Sequence, residues 1–144
     1  MKINIHKEEK DYHFKANNAQ VEVAVCGSEK LVDNPVGFRP TELVLVGLGG
    51  CMSIDVLSIL EKSKQEVKDF DVEVTGNRRA EVPGLFENIL ITIKLTGDVK
   101  ESKLQQAIRL SEEKFCTVFK IVEKTASIRT TYILNGIAAG ESVE

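Results

Sequence analysis

The chain contains three cysteines, and their thiols are the side chains best able to do chemistry: Cys26, Cys51 and Cys116. Cys51 directly follows Gly49 and Gly50 in the most apolar stretch of the sequence. A glycine inside a helix costs about 0.8–1.0 kcal/mol relative to alanine. These glycines therefore indicate that another backbone, or a ligand, comes close to the helix face that carries Cys51.

The cysteine pattern narrows the possible chemistry. An odd number of cysteines without a Cys-X-X-Cys pair is not typical of a secreted disulfide framework. In a reducing compartment, cysteines are inert core residues, metal ligands or redox-active thiols. The two histidines, His6 and His13, lie near the N-terminus and no ligand pair has zinc-finger spacing, so we expect neither a metal site nor another cofactor.

Each thiol also has a purely structural interpretation, because free cysteine is among the most buried residue types. Asp55, one helical turn after Cys51, disfavours a thiolate there, and a thiol in mid-helix gains nothing from the positive helix N-terminus. Cys116 lies beside an apolar stripe and fits a half-buried core position. Cys26 ends a strand and is interpreted as structural. From the residues alone, both a reactive and an inert Cys51 stay open.

The composition is typical of a single globular domain. The chain has 144 residues, 42% of them hydrophobic and 28% charged, with a net charge of −3. No basic patch indicates binding to nucleic acid or to an anionic membrane surface. No stretch reaches the roughly 18 uninterrupted apolar residues of a membrane span, and the first residues have no signal-peptide core. We therefore expect one domain over residues 1–134, a flexible tail over residues 135–144 and a cytoplasmic location.

Hydrophobic periodicity predicts an α+β fold with the order βββαββαβ. Helical periodicity predicts two long helices, the first over residues 40–64 with Pro40 at its start, and the second over about 100–124 with Asp98 as its cap. The strands should form antiparallel sheets, with hairpin turns at Asn17-Asn18 and at Val82-Pro83-Gly84. Period-two alternation predicts strands at residues 2–7, 11–16, 20–25, 67–78, 86–96 and 126–134.

The first predicted helix is apolar nearly all round, which is typical of a central, buried helix. It has one stripe of small and polar residues at spacings of three or four: Gly47, Cys51, Asp55, Ser58 and Lys62. A polar stripe on a buried helix indicates a cleft, a partner subunit or both. Small residues that merely allow close helix packing would give the same glycine pattern.

Two motifs carry a resemblance to a known family. One is the run Phe38-Arg39-Pro40-Thr41-Glu42-Leu43, continued by Gly49-Gly50-Cys51 and Asp55-Val56. The other, some 65 residues later, is Ser111-Glu112-Glu113-Lys114-Phe115-Cys116. With these motifs the chain resembles the OsmC/Ohr superfamily over roughly residues 1–134, and it is most similar to the OsmC-like branch whose motif reads Gly-Gly-Cys.

The resemblance implies an interlocked homodimer with the two long helices at its centre and two active sites at the subunit interface. It also implies thiol peroxidase chemistry in stress defence. Cys51 would be the peroxidatic thiol that attacks the O–O bond of an organic hydroperoxide or hydrogen peroxide, and Cys116 the resolving thiol that forms a disulfide with it. A dithiol reductant would then reduce that disulfide by exchange.

The sequence departs from the family pattern at the groups that support the reactive thiolate. The characterised peroxidases use an arginine from the N-terminal hairpin and a glutamate directly after a proline, but here no arginine precedes Arg39, and Thr41 follows Pro40. We take Arg39 and Glu42 as the candidate supporting residues. Nine helical residues, about 13 Å of rise, separate Glu42 from Cys51, so Glu42 could support the thiol only through the partner subunit or if the helix begins later. The other cations that could substitute are Lys15, Arg78 and Arg79.

Three functions are compatible with these observations. The leading hypothesis is a thiol-dependent peroxidase. A dimer of the same fold that binds a small apolar ligand in its interface cleft is one alternative. A thiol redox sensor, in which Cys51 and Cys116 oxidise without useful turnover, is another.

Overall fold

The structure is a computed structural model that describes residues 1–139. The chain divides into two compact units, Met1–Val44 and a second that begins at Leu45. The sequence predicted one domain over residues 1–134. The boundary between the two units falls within that range, so a single domain over residues 1–134 stays a prediction.

The first unit is built on a three-stranded antiparallel sheet, which consists of β1 (Asn4–Lys7), β2 (His13–Asn17) and β3 (Glu22–Cys26). The predicted turn at Asn17-Asn18 is confirmed. The side-chain oxygen of Asn18 accepts hydrogen bonds from the backbone N–H groups of Gln20 at 3.1 Å and of Val21 at 3.0 Å. Asparagine favours such turns because its side chain mimics a backbone turn.

Helix α1 (Pro40–Lys62) begins at the predicted residue and ends two residues before the predicted one. Its start is fixed by a local hydrogen bond. The carboxylate of Glu42 accepts the backbone N–H of Arg39 at 2.8 Å, which is the glutamate half of a capping box. Glu42, predicted as a site residue, thus has a structural role at the beginning of the helix.

The second unit contains a four-stranded sheet in the order β4 (Glu66–Arg78), β5 (Phe86–Asp98), β6 (Ser127–Leu134) and β7 (Ile137–Ala139). Strands β4 and β5 form the predicted antiparallel hairpin, and β6 and β7 are also antiparallel. Strands β5 and β6 are parallel, which corrects the prediction of antiparallel sheets at this one pairing. A helical crossover joins them, and such connections return the chain in the same direction.

The second long helix predicted over residues 100–124 is wrong. The segment consists of α2 (Glu101–Leu110), a π-helical turn (Ser111–Phe115) and α3 (Thr117–Val122), with Cys116 in an extended conformation between the last two. Asp98 does not cap this segment, because it ends β5. The N-cap residue is Lys100, whose own backbone N–H donates to the side-chain oxygen of Gln65 at 2.8 Å.

The core of the second unit is formed by α1, by the two helices of the crossover and by the sheet. Strand β5 contributes alternate residues, as its period-two pattern predicted, and α2 and α3 add the apolar side chains of one face each. The largest fully buried side chains include Leu48, Met52, Val56 and Leu60 of α1, Ile89, Ile91 and Ile93 of β5, and Leu104 and Ile108 of α2.

Within a single chain, helix α1 buries one face only, although its apolar composition predicted a central, buried helix. Val46 is 51% exposed and Ile54 is 70% exposed, and Leu57 and Gly50 share this side of the helix with them. Because these positions are spaced by three or four residues, they form a continuous apolar face. We refer to Val46, Gly50, Ile54 and Leu57 as the exposed face of α1.

The predicted flexible tail over residues 135–144 is wrong in its first part. Residues Ile137–Ala139 form β7, which pairs with the end of β6. Asn135 and Gly136, both at positive φ, make the tight turn between the two strands. The remaining part of the predicted tail, residues 140–144, lies outside the described residues.

Candidate active site

Cys51 and Asp55 occupy the same face of α1. They are four residues apart, so that one side chain lies a single helical turn above the other. Both are partly buried. The pair therefore lies at the edge of the core, in partial contact with solvent.

Cys116 lies at the break in the crossover segment. Its backbone N–H donates to the carbonyl oxygen of Ser111, five residues earlier, at 2.8 Å, and so closes the π-helical turn. Its sulfur then accepts the backbone N–H of Phe119 at 3.4 Å and caps α3. The residue is 0% exposed. Short π-helical segments of this kind are frequent at functional sites.

These two elements bring three reactive side chains together. The sulfur atoms of Cys51 and Cys116 and a carboxylate oxygen of Asp55 all lie within 4.8 Å of one another. All three cysteines are free. An S–S bond is about 2.05 Å long, so a movement of at most about 3 Å would join Cys51 to Cys116.

The surroundings of Cys116 keep it protonated. Burial is the main reason that the pKa of the Cys116 thiol is raised from 9.0 to about 12. The hydrogen bond with Cys51 and the negative charge of Asp55 raise this pKa further, while the N–H of Phe119 lowers it. Cys116 is therefore a neutral thiol at pH 7 and can donate a hydrogen bond.

Ser111 holds the carboxylate of this cluster in place. Its hydroxyl donates to Asp55 Oδ2 at 3.0 Å, and the residue is 0% exposed. Ser111 belongs to the second family motif, which did not reveal this role. The spacing of five residues between Ser111 and Cys116 was visible in the sequence. This spacing points to the role of Ser111 only when the π-helical turn that joins the two residues is known.

Arg39 and Glu42, the other two predicted site residues, belong to a charged cluster of the first unit. The Arg39 guanidinium lies 2.9 Å from a carboxylate oxygen of Glu29 and 3.8 Å from one of Glu42. Glu42 also lines a shallow pocket of about 370 Å³ in this unit, together with Val23 and Phe38. The roles of both residues in chemistry stay predictions.

The substitute cations and Cys26 also have local partners. Lys15 forms salt bridges with Glu8 and Glu22, and the hydrogen bond to Glu22 is the main reason that the pKa of Lys15 is raised. Arg78 donates from Nε to the carbonyl oxygen of Gly84 at 2.6 Å. Cys26 is buried and its thiol lies 3.3 Å from the carbonyl oxygen of Gly37, in keeping with its structural interpretation.

Comparison with known proteins places this arrangement in a family. A profile of the OsmC-like protein family matches residues 27–131, a range that includes Cys51, Asp55, Ser111 and Cys116. The chain belongs to the family of OsmC-like proteins. The resemblance inferred from the two motifs is thereby confirmed.

Three relatives illustrate the range of this family. Protein YhfA of Escherichia coli K12 is 41% identical to this OsmC-like protein over 113 residues, which are 76% of this chain and 84% of YhfA. The structure of a hypothetical protein from Aquifex aeolicus VF5 is 30% identical, has a TM-score of 0.83, and covers 93% of this chain and 95% of its own. An organic hydroperoxide resistance protein OsmC from Legionella pneumophila shares the fold, with a TM-score of 0.69 at 11% identity over 90% of this chain and 93% of its own.

Helix α1 of this OsmC-like protein is long and apolar enough to cross a membrane by length and composition alone, with a mean hydropathy of 2.2 over its most apolar window, of which 28% is buried. No membrane span was predicted from the sequence, because that prediction required a run of uninterrupted apolar residues. One helix of this kind is weak evidence for a membrane, because core helices of globular proteins have the same composition.

Proposed function

We propose that this OsmC-like protein is a thiol peroxidase that reduces organic hydroperoxides or hydrogen peroxide. The observation that carries the proposal is the closeness of two thiols from different elements, whose sulfurs lie within 4.8 Å of each other. Their surroundings differ in the way that the two roles require. Cys51 is partly exposed and can meet a peroxide, whereas Cys116 is 0% exposed and can meet only Cys51.

The proposed reaction begins with the Cys51 thiolate. Its sulfur attacks one oxygen of the peroxide, an S–O bond forms, the O–O bond breaks, and the other oxygen takes up a proton and leaves as an alcohol or water. Cys51 is thereby oxidised to sulfenic acid. The sulfur of Cys116 then attacks the Cys51 sulfur, so that an S–S bond forms and the hydroxyl leaves as water with the Cys116 proton.

A dithiol reductant completes the cycle. Thiol–disulfide exchange transfers two electrons and two protons from the reductant to the Cys51–Cys116 disulfide. Both protein thiols are restored and the reductant leaves as a disulfide. The partly exposed Cys51 is the sulfur that a reductant would attack first.

In this scheme Asp55 transfers a proton, and Ser111 is a positioning residue that acts through Asp55. Because the Cys116 thiol holds its proton tightly, its attack on the sulfenic acid requires a nearby acceptor. The Asp55 carboxylate lies within 4.8 Å of both sulfurs and is held by the Ser111 hydroxyl at 3.0 Å. We assign to it the transfer of the Cys116 proton to the departing hydroxyl.

The proposed active form is a homodimer in which a second copy of the chain covers the exposed face of α1. Val46 and Ile54 are 51% and 70% exposed, and the added Cβ at Gly50 would meet nothing within 4 Å in a single chain. A partner backbone at Gly50 would explain the presence of a glycine inside this helix. A stable interface of this kind buries roughly 1,600 Å².

Intact mass spectrometry after one equivalent of peroxide tests the peroxidase proposal. Wild-type protein should lose about 2 Da as the Cys51–Cys116 disulfide forms. Cys116→Ser should gain about 16 or 32 Da, because the Cys51 sulfenic acid then persists or is oxidised further. Cys51→Ser should show neither change.

Cys26→Ser is the matched control for these variants. Its thiol lies in the first unit beside the Gly37 carbonyl, so the variant should respond to peroxide as the wild type does. A wild-type protein that keeps three free thiols after treatment would overturn the peroxidase proposal and favour a ligand-binding dimer.

A redox sensor is the second candidate, and one observation favours it. Burial raises the pKa of Cys116 to about 12, which slows its attack as a thiolate at neutral pH. A sensor would form the disulfide once but would consume peroxide slowly with a dithiol reductant. Steady-state turnover under those conditions distinguishes the sensor from the peroxidase.

We propose Arg39 as the cation that supports the reactive thiolate. Arg39→Ala should slow peroxide reduction more than Arg78→Ala or Arg79→Ala, because a thiolate is disfavoured when the positive charge that supports it is removed. The measurement is the rate of peroxide consumption at pH 7 with saturating dithiol. Equal rates in the three variants would remove Arg39 from the mechanism while leaving the two cysteines in it.

A further inference from the structure

We propose that the reduced protein binds one divalent metal ion, Zn²⁺ or a softer ion, through Cys51, Asp55 and Cys116. These side chains offer two sulfurs and one carboxylate oxygen, and the three atoms lie within 4.8 Å of one another. Thiolate and carboxylate are both established Zn²⁺ ligands, and paired thiolates favour Zn²⁺ and softer ions over Mg²⁺ or Ca²⁺. This site goes beyond the proposed peroxidase activity and does not depend on it.

The spacing of the three atoms fits a tetrahedral ion. With Zn–S bonds of about 2.3 Å and a Zn–O bond of about 2.1 Å, ligand atoms lie roughly 3.6–3.8 Å apart. The observed separations of up to 4.8 Å require the ligands to close by about 1 Å. Two ligands come from one face of a helix at positions i and i+4, and the third comes from a neighbouring break in the chain.

Hydrogen bonds already orient two of the three ligands. The Ser111 hydroxyl donates to Asp55 Oδ2 at 3.0 Å, which leaves the other carboxylate oxygen for an ion. The backbone N–H of Phe119 points at the Cys116 sulfur at 3.4 Å. Such supporting partners orient metal ligands and contribute to affinity.

The fourth position of the site would face solvent. Cys116 and Ser111 are both 0% exposed, while Cys51 and Asp55 are partly exposed, so the site opens on the α1 side. Three protein ligands and one open position are typical of accessible zinc sites. No zinc site was predicted from the sequence, because that prediction rested on ligand pairs with zinc-finger spacing. The thiols of the proposed site are far apart in the sequence, at residues 51 and 116.

Binding would release the two thiol protons, because thiols ligate metals only as thiolates. The bound ion would occupy both sulfurs, so the metal and a Cys51–Cys116 disulfide exclude each other. The metal-loaded protein should therefore resist peroxide, and the oxidised protein should not bind the ion.

The test is titration of the reduced protein with Cd²⁺ alone and with Zn²⁺ alone in oxygen-free buffer. We expect one ion per chain, a thiolate-to-cadmium charge-transfer absorption and about two protons released per ion. Cys51→Ser and Cys116→Ser should each lower the affinity by more than about 100-fold, and Ser111→Ala by about 10-fold. Asp55→Asn should fall between these limits.

Two variants serve as controls. Cys26→Ser removes a thiol outside the cluster, and Asp71→Asn removes an exposed carboxylate of β4. Both variants should bind the ion as the wild type does. Cys51 is partly exposed, so its serine variant should fold even if the variant at buried Cys116 does not. The proposal would be overturned if Cys51→Ser bound the ion as tightly as the wild type does. It would also be overturned if Cys26→Ser lost stoichiometric binding. Peroxide oxidation is measured on metal-free protein, so its failure and the failure of metal binding are separate results.

Discussion

At the scale of single residues, the two thiols of the cluster differ in exposure although their sulfurs are neighbours. Cys51 is partly exposed on α1, whereas Cys116 is 0% exposed and is kept protonated by burial, by Cys51 and by Asp55. A symmetrical pair would leave the order of oxidation undecided. In the proposed reaction, this difference in exposure favours the first step at Cys51.

Asp55→Asn should lower the pKa of Cys116 relative to the same protein with Asp55 in place, because the negative charge of Asp55 contributes to raising it. The measurement is the ultraviolet absorbance of the thiolate against pH in a Cys26→Ser, Cys51→Ser background, where Cys116 is the single thiol. Burial, the larger cause, persists in the variant, so the pKa should stay above the ordinary value of 9.0.

Asp71→Asn is the matched control for this titration, because it removes an exposed carboxylate from β4. Its titration curve should coincide with that of the parent protein. A Cys116 pKa that is unchanged or raised in Asp55→Asn would show that the carboxylate does not act on this thiol.

The motifs predicted the meeting of Cys51 and Cys116, but two residues had roles that the motifs do not reveal. Ser111 gained its role because the π-helical turn points its hydroxyl at Asp55. Glu42 was assigned to chemistry by analogy with a glutamate near a proline, yet it caps α1 through the backbone N–H of Arg39. The capping-box spacing at this helix start was a visible signal for that role.

At the scale of secondary structure, the break at Cys116 is the feature that hydrophobic periodicity missed. The predicted stripe continued one helix through Phe115 and Val118. The π-helical turn adds a residue and shifts the phase, so that Phe115 is 49% exposed while Phe119 and Val122, each 7% exposed, join the core. One inserted residue changes the face that is buried but hardly changes the composition of the segment.

Replacing Cys116 should separate its capping role from its chemistry. Cys116→Ser retains an acceptor for the Phe119 N–H, whereas Cys116→Ala leaves that N–H without its side-chain partner. The alanine variant should therefore be about 1 kcal/mol less stable than the serine variant at pH 7, as measured by urea unfolding. Equal stabilities would mean that the sulfur does not cap α3.

The same variants should differ from the wild type in alkaline solution. The pKa of Cys116 in the folded protein is about 12, above its ordinary value of 9.0, so the folded state holds this proton more tightly than the unfolded chain. The resulting stabilisation is fully present below pH 9.0 and is lost as the pH rises towards about 12. Serine does not titrate there, so Cys116→Ser should not show this loss.

At the scale of the whole molecule, period-two and helical patterns were sufficient to predict the α+β class and most element positions. They did not predict that β5 and β6 are parallel, because pairing direction depends on how the crossover returns the chain. They also could not distinguish a helix buried in its own chain from one that a second copy covers. Both kinds of helix are apolar nearly all round.

The neighbouring glycines of α1 offer a test of the proposed dimer, since one packs inside the chain and the other does not. A Cβ at Gly49 would lie 2.8 Å from Val74 Cγ2, whereas a Cβ at Gly50 would meet nothing within 4 Å. Overpacking costs about 1–3 kcal/mol, and alanine gains about 0.8–1.0 kcal/mol over glycine in a helix. Gly49→Ala should therefore lower the free energy of unfolding relative to Gly50→Ala.

Association should respond in the opposite way. If a second copy packs its backbone against Gly50, the added methyl group weakens the dimer, and light scattering should give the monomer mass at protein concentrations where the wild type is dimeric. Gly49→Ala is the matched control, because its methyl group points into the core and should leave the wild-type dependence of mass on concentration unchanged. A wild-type protein that is monomeric at micromolar concentration would contradict the dimer, and the exposed face of α1 would then require a different partner.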